Sequence, residues 1–141
     1  MPDRPHDLPS KTHLLLIHCN KRSEEMIPNL REVMAHWQQV WIVLEGSALA
    51  LEKKLKAVSH GESGLRMLTP KSVRGKAAAV LHVQELTSKK PFTHVLIMEA
   101  YGRHPAVRIR DFMASSSHHP EAMILGIPSP WATGHPLRIA G

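Results

Sequence analysis

The sequence predicts a three-layer α/β fold, a mostly parallel sheet with helices on both faces, and three observations carry that expectation. Short apolar runs alternate along the chain with stretches of helical periodicity, and this order builds parallel sheets. The runs are near-continuous, as strands buried on both faces require. Polar clusters stand directly after several of them, where the strands of such a sheet end and where ligands bind.

Residues 13–18 (His-Leu-Leu-Leu-Ile-His) form the first apolar run and predict a buried strand. Ser23, Glu24 and Glu25 offer a helix start with acids at the positive end of the dipole, and Pro28 fits only the first turn. Ile27, Leu30, Met34 and Trp37 then recur at spacings of 3, 4 and 3, one face of a helix packed on a core. Val40–Leu44 reads as a second buried strand. A second helix is expected over 47–59, with Ala48, Leu51, Leu55 and Val58 inward and Lys53, Lys54 and Lys56 outward, closed by Gly61 and Gly64. Leu65–Leu68 predicts a short third strand. Residues 77–88 predict an alanine-rich helix with Val80, Val83 and Leu86 inward.

Residues 93–105 then run Thr-His-Val-Leu-Ile-Met-Glu-Ala-Tyr-Gly-Arg-His-Pro. The first half predicts a fourth strand buried on both faces, and the second half is a polar cluster at its end. A helix over about 105–115 carries Ile109, Phe112 and Met113, and 122–127 predicts a fifth strand. The whole is a Rossmann-like alternation. Residues 1–12 read as a disordered leader, 13–128 as the α/β domain and 129–141 as an irregular, proline-containing tail.

Composition narrows the function. At 141 residues the chain is one domain on size, and its 43% apolar and 21% charged residues are those of a soluble globular protein. A net charge of +6 favours anionic partners such as nucleotides and phosphorylated lipids. No Lys/Arg run reaches five residues, and aromatics make up only 4%, so neither a basic patch nor a stacking platform for nucleic acid is present. The single Cys19 excludes an internal disulfide and fits a cytoplasmic setting. Apolar runs fall far short of the roughly 20 residues of a membrane helix, so no transmembrane segment is expected.

Four clusters carry candidate chemistry: Asn20-Lys21-Arg22, Glu45-Gly46-Ser47, Lys71-Ser72-Val73-Arg74-Gly75-Lys76, and Glu99-Ala100-Tyr101-Gly102-Arg103-His104. Three follow strands and lie on one edge of a doubly wound sheet. The fourth precedes a helix, where free amides, the dipole and cations favour a phosphate. Together they fit a nucleotide diphosphate pocket better than a hydrolase triad. Cys19 and His18 do not make a nucleophile pair, because neighbours on a strand point to opposite faces. The eleven histidines are scattered, only His118 and His119 being adjacent.

The order of these pieces resembles the nucleotide-binding half of family 2 glycosyltransferases, the dolichyl-phosphate-mannose-synthase-like group with the GT-A fold. It rests on Asn20, Leu44-Glu45-Gly46-Ser47, Arg74-Gly75-Lys76-Ala77-Ala78, residues 98–105 and the later Pro120-Glu121-Ala122-Met123-Ile124-Leu125-Gly126. The resemblance implies a GDP- or UDP-sugar donor held by Asn20, Glu45, Gly46, Arg74, Gly75, Lys76, Glu99, Tyr101 and Arg103. Transfer would be to an acceptor such as a polyprenyl phosphate or glycan, peripherally at a membrane surface. It implies Mg²⁺ or Mn²⁺ near Glu99 and His104. The family's Asp-x-Asp is here Glu99 and Tyr101, and Leu44 stands where the first acid of the earlier motif is usual. A phenol near pKa 10 is a poor ligand for a hard cation, so Arg103 is the expected neutraliser of diphosphate charge. The family's acceptor region lies beyond these residues. That implies a homo-oligomer or a partner chain supplying it, or a catalytically silent relative that binds a nucleotide or protein.

Overall fold

The computed structural model describes residues 11–20, 28, 30–59, 64–71, 73–99 and 106–124. In chain order the elements are β1 (His13–Cys19), α1 (Leu30–His36), β2 (Val40–Leu44), a 3₁₀ turn (Gly46–Leu51) running into α2 (Glu52–Val58), β3 (Leu65–Leu68), α3 (Lys76–Thr87), β4 (His94–Glu99), a second 3₁₀ turn (Ala106–Arg108) and α4 (Ile109–His118). The four strands form one sheet in the order β3-β2-β1-β4, and every pairing is parallel. The α/β, Rossmann-like reading of the sequence is the fold observed.

Strand periodicity splits the core into two halves. Leu15, Ile17 and Cys19 of β1 join Val40, Ile42 and Leu44 of β2 on one face, under Leu30, Val33, Met34 and Trp37 of the first helical segment, Leu51 and Leu55 of the second, and Ile109 and Met113 of α4. Leu14 and Leu16 join Trp41, Val43 and Leu68 on the opposite face, under Val73 and under Ala79 and Val83 of α3. β1 is buried along its whole length, as expected of a central strand carrying five apolar or small residues in seven positions with helices on either side.

The layering sets the position of the site. From β1 through β2 to β3 the chain steps outward in one direction, with α1 and α2 over one face. It then returns beneath the other face through α3 and places β4 on the far side of β1. Right-handed crossovers made in opposite directions put their helices on opposite faces. The order therefore reverses between β1 and β4, and the carboxyl ends of these two strands flank the switch point of the sheet.

Several expectations need correction. Among the described residues β4 is an edge strand of the sheet, not a strand buried on both faces: Leu96 and Met98 pack against the α1 side, but Val95 and Ile97 are 41% and 40% exposed. The cause is that α3 lies over β1, β2 and β3, and α4 shares its face with α1. Residues 122–124 form no strand, and 125–127 lie outside the described residues. The second helix is 3₁₀ in its first six residues, and Ser59 closes it, its amide and hydroxyl both donating to the Leu55 carbonyl. Gly64 serves close approach instead, because a side chain there would run into the Gln38 carbonyl. The proposed starting residues of the first helix, 23–25, and Ile27 lie outside the described residues, as do residues 1–10 and 125–141.

Candidate functional site at the carboxyl edge of the sheet

Glu45 is the centre of this edge. It follows β2, and its amide donates to the Cys19 carbonyl at 3.0 Å, which ties the ends of β1 and β2 together. Two residues beyond Val43, it falls on the α3 side of the sheet by strand alternation. His18, two residues beyond Leu16, falls on the same side. The His18 Nε2–H donates to Glu45 Oε1 at 2.7 Å, with the side chains only 9% and 16% exposed. The same oxygen accepts the Gly75 amide at 2.5 Å.

Gly75 is the residue immediately before α3, and its geometry explains the Arg-Gly-Lys sequence. Its φ of +82° with ψ of 163° is a conformation that residues with a Cβ avoid. Its carbonyl accepts the Ala79 amide at 3.1 Å to open the helix, and its own amide points to Glu45. An anionic side chain thus sits against the positive end of α3, where amides lacking intrahelical partners favour negative charge. A hydrogen bond to a charged acceptor contributes about 1.5–3 kcal/mol. The carboxylate therefore links three separated segments: the ends of β1 and β2 and the start of α3.

Of the sequence-predicted residues, Glu45 and Gly75 touch. Gly46 opens the 3₁₀ turn after β2 with open space around its Cα. Arg74 and Lys76 flank Gly75 in the chain and Lys71 stands four residues before it, all three with exposed side chains. Asn20 follows directly on Cys19, half-buried. Glu99 ends β4 in register with His18, which puts its backbone at the switch point. Tyr101, Arg103 and His104 lie outside the described residues. Among the described residues no three His, Cys, Asp or Glu side chains cluster as a metal site.

His18 is the residue that sequence reasoning passed over. Read beside Cys19 it is a poor nucleophile partner, and the two do face opposite ways. The signal was its parity: counting by two from Leu14 and Leu16 places it on the face where Glu45 emerges. A separate depression of about 440 Å³ between α3 and β4, lined by Val80, Val83, Lys90, Phe92, His94 and Val95 among others, lies toward the amino ends of the strands and does not belong to this edge.

Chemically, the arrangement offers a fixed carboxylate, an imidazole bonded to it, backbone amides at a helix start and exposed cations on either side of Gly75 in the chain. No helix among the described residues is long and apolar enough to cross a membrane. No family model matches this chain, and no curated protein or solved structure is significantly similar to it.

Proposed function

We propose that the chain binds a nucleotide diphosphate, most simply a GDP- or UDP-sugar, across the carboxyl ends of β1, β2 and β4. The observation that carries this reading is the meeting of Glu45, His18 and Gly75 at one point on the carboxyl edge, in a segment whose Lys71, Arg74 and Lys76 are exposed. Open α/β sheets take their ligands there, and amides plus cations at a helix start suit phosphate oxygens. Asn20, Gly46 and Glu99 border the same edge. Tyr101 and Arg103 belong to the reading through the family resemblance, as do His104 and a divalent cation. Glycosyl transfer to a polyprenyl phosphate or glycan is the activity the resemblance adds.

A second reading has its own support. The Glu45 carboxylate is already engaged by His18 and Gly75, which suits a scaffold that keeps the fold and binds a nucleotide without transferring a sugar. Calorimetric titration with GDP, UDP and their sugars, in Mg²⁺ and again in EDTA, together with an assay of donor hydrolysis, separates the two. Binding with turnover supports transfer, and binding without turnover supports the silent relative. Binding that persists in EDTA gives Arg103 the metal's role, whereas strict metal dependence removes it. Arg74→Ala is expected to weaken binding by about tenfold, the loss of roughly one charge-assisted contact. No binding of any nucleotide overturns both readings.

A further inference from the structure

The amino edge of the sheet holds an unusual pair. His13 opens β1 and His94 opens β4, in direct register, and their rings stack at 4.4 Å between centroids with 17° between planes. His13 is only 4% exposed. Its Nδ1 lies 3.1 Å from the Thr12 hydroxyl, but its buried Nε2 has no hydrogen-bond partner. His94 is better served, since its Nε2–H donates to the Pro120 carbonyl at 2.7 Å and its Nδ1 lies 2.8 Å from the Thr93 hydroxyl.

That asymmetry decides where protons go. A carbonyl only accepts, so His94 carries a proton on Nε2 in every state of this contact. Its Nδ1 can take a second proton by donating to Thr93 Oγ1, which in turn donates to the Thr12 carbonyl at 3.3 Å. His13 has no such outlet. A proton on its Nε2 would be buried without an acceptor among the described residues, on a ring stacked against His94. Burial, and then the neighbouring His94, hold His13 below the ordinary histidine value.

The other charged and titratable groups on the described elements at this edge are Lys11 before β1, His36 at the end of α1, Lys89 and Lys90 between α3 and β4, with Lys90 lining the depression that His94 also borders, Arg110 of α4, whose guanidinium donates to the His36 carbonyl, and His118, His119 and Glu121 around the end of α4. Among the described residues neither stacked ring has a carboxylate partner.

We propose that the His13–His94 stack is a proton-sensitive clasp. Neutral, it pins the edge strand β4 and the turn after α4 to β1, and on acidification it takes up its second proton only by opening that end of the sheet. The sign follows from linkage. A histidine held below its unfolded value binds fewer protons folded than open, so closure is complete above the unfolded value of about 6.5 and is lost as pH falls through it.

The test is histidine-ring NMR and amide hydrogen exchange on the full chain between about pH 8 and about pH 5, the range in which imidazole changes charge. The His13 ring is expected to titrate below the ordinary value. Protection factors of the β4 amides should fall by up to about tenfold per pH unit below about 6.5, while those of β2 hold. His13→Phe keeps a stacked ring without a titrating group and should flatten the β4 profile. If that variant does not fold, His94→Gln, which removes the neighbouring imidazole and leaves the burial of His13 in place, should make the β4 profile shallower without flattening it. A His13 ring with an ordinary pKa, β4 protection independent of pH, a loss shared equally by β2, or an unchanged loss in a folded variant each overturns the proposal.

Discussion

The two ends of β1 carry the same residue type in opposite circumstances. His18, at the carboxyl end, gives its Nε2–H to a carboxylate that also holds the start of α3. His13, at the amino end, is stacked on a second histidine with one nitrogen buried and unpaired. The first end is polar and exposed at Arg74, Gly75 and Lys76. The second is sealed from the α1 side by Trp37, which is 3% exposed and donates from its indole Nε1 to the His13 carbonyl at 2.9 Å. The difference separates a polar, accessible end, where open α/β sheets take ligands, from an end whose residues are packed away. In a parallel sheet the carboxyl ends face ligands, and the amino ends are where residues serve stability.

The largest expected break of this contrast is Trp37→Ala. Removing a fully buried indole leaves a cavity and an unmet carbonyl, and such truncations cost about 3–5 kcal/mol. Urea unfolding monitored by circular dichroism is expected to show that loss. Nucleotide affinity, measured on the remaining folded protein, should be unchanged. A matching loss of affinity would show that the two ends are not independent.

Gly75→Ala probes the other end at smaller cost. An added Cβ meets nothing within 4 Å, so crowding is not the penalty. The penalty is the backbone at φ +82°, worth about 1–3 kcal/mol. If the chain relaxes instead, the amide turns from Glu45 and the start of α3 shifts. Here stability and nucleotide affinity should fall together, the reverse of the Trp37→Ala pattern.

How much of this was legible in the sequence differs between the two ends. The strands Val40–Leu44 and Leu65–Leu68 were read to the residue, because continuous apolar runs bounded by polar residues leave little choice. The inward faces of α1 and α3 were legible from spacing, with Val83 buried and Val80 and Leu86 half-buried against the core. The exposure of β4 was not legible. Val95 and Ile97 are as apolar as their neighbours, and only the route of α3 over β1 to β3 decides that they lie uncovered. Glu45 and Gly75 were each singled out as candidates, but their contact spans thirty residues of sequence and depends on α3 crossing beneath the sheet. The His13–His94 pair was invisible for the same reason: one histidine opens each of two runs, and register alone makes them partners.

Trp37→Phe sharpens the contrast with the smallest change. It keeps an aromatic ring in the core, removes the indole donor to the His13 carbonyl and leaves a smaller void than Trp37→Ala does. The net worth of one such neutral hydrogen bond is about 0.5–1.5 kcal/mol, so the urea midpoint should drop modestly and the slope should not change. The pH dependence of β4 protection should survive, because the stacked imidazoles and the unpaired Nε2 of His13 remain. Should Trp37→Phe abolish that dependence, the indole and not the histidine pair would be holding the amino edge shut. The contrast between the two ends of β1 would then reduce to a polar edge and an aromatic plug.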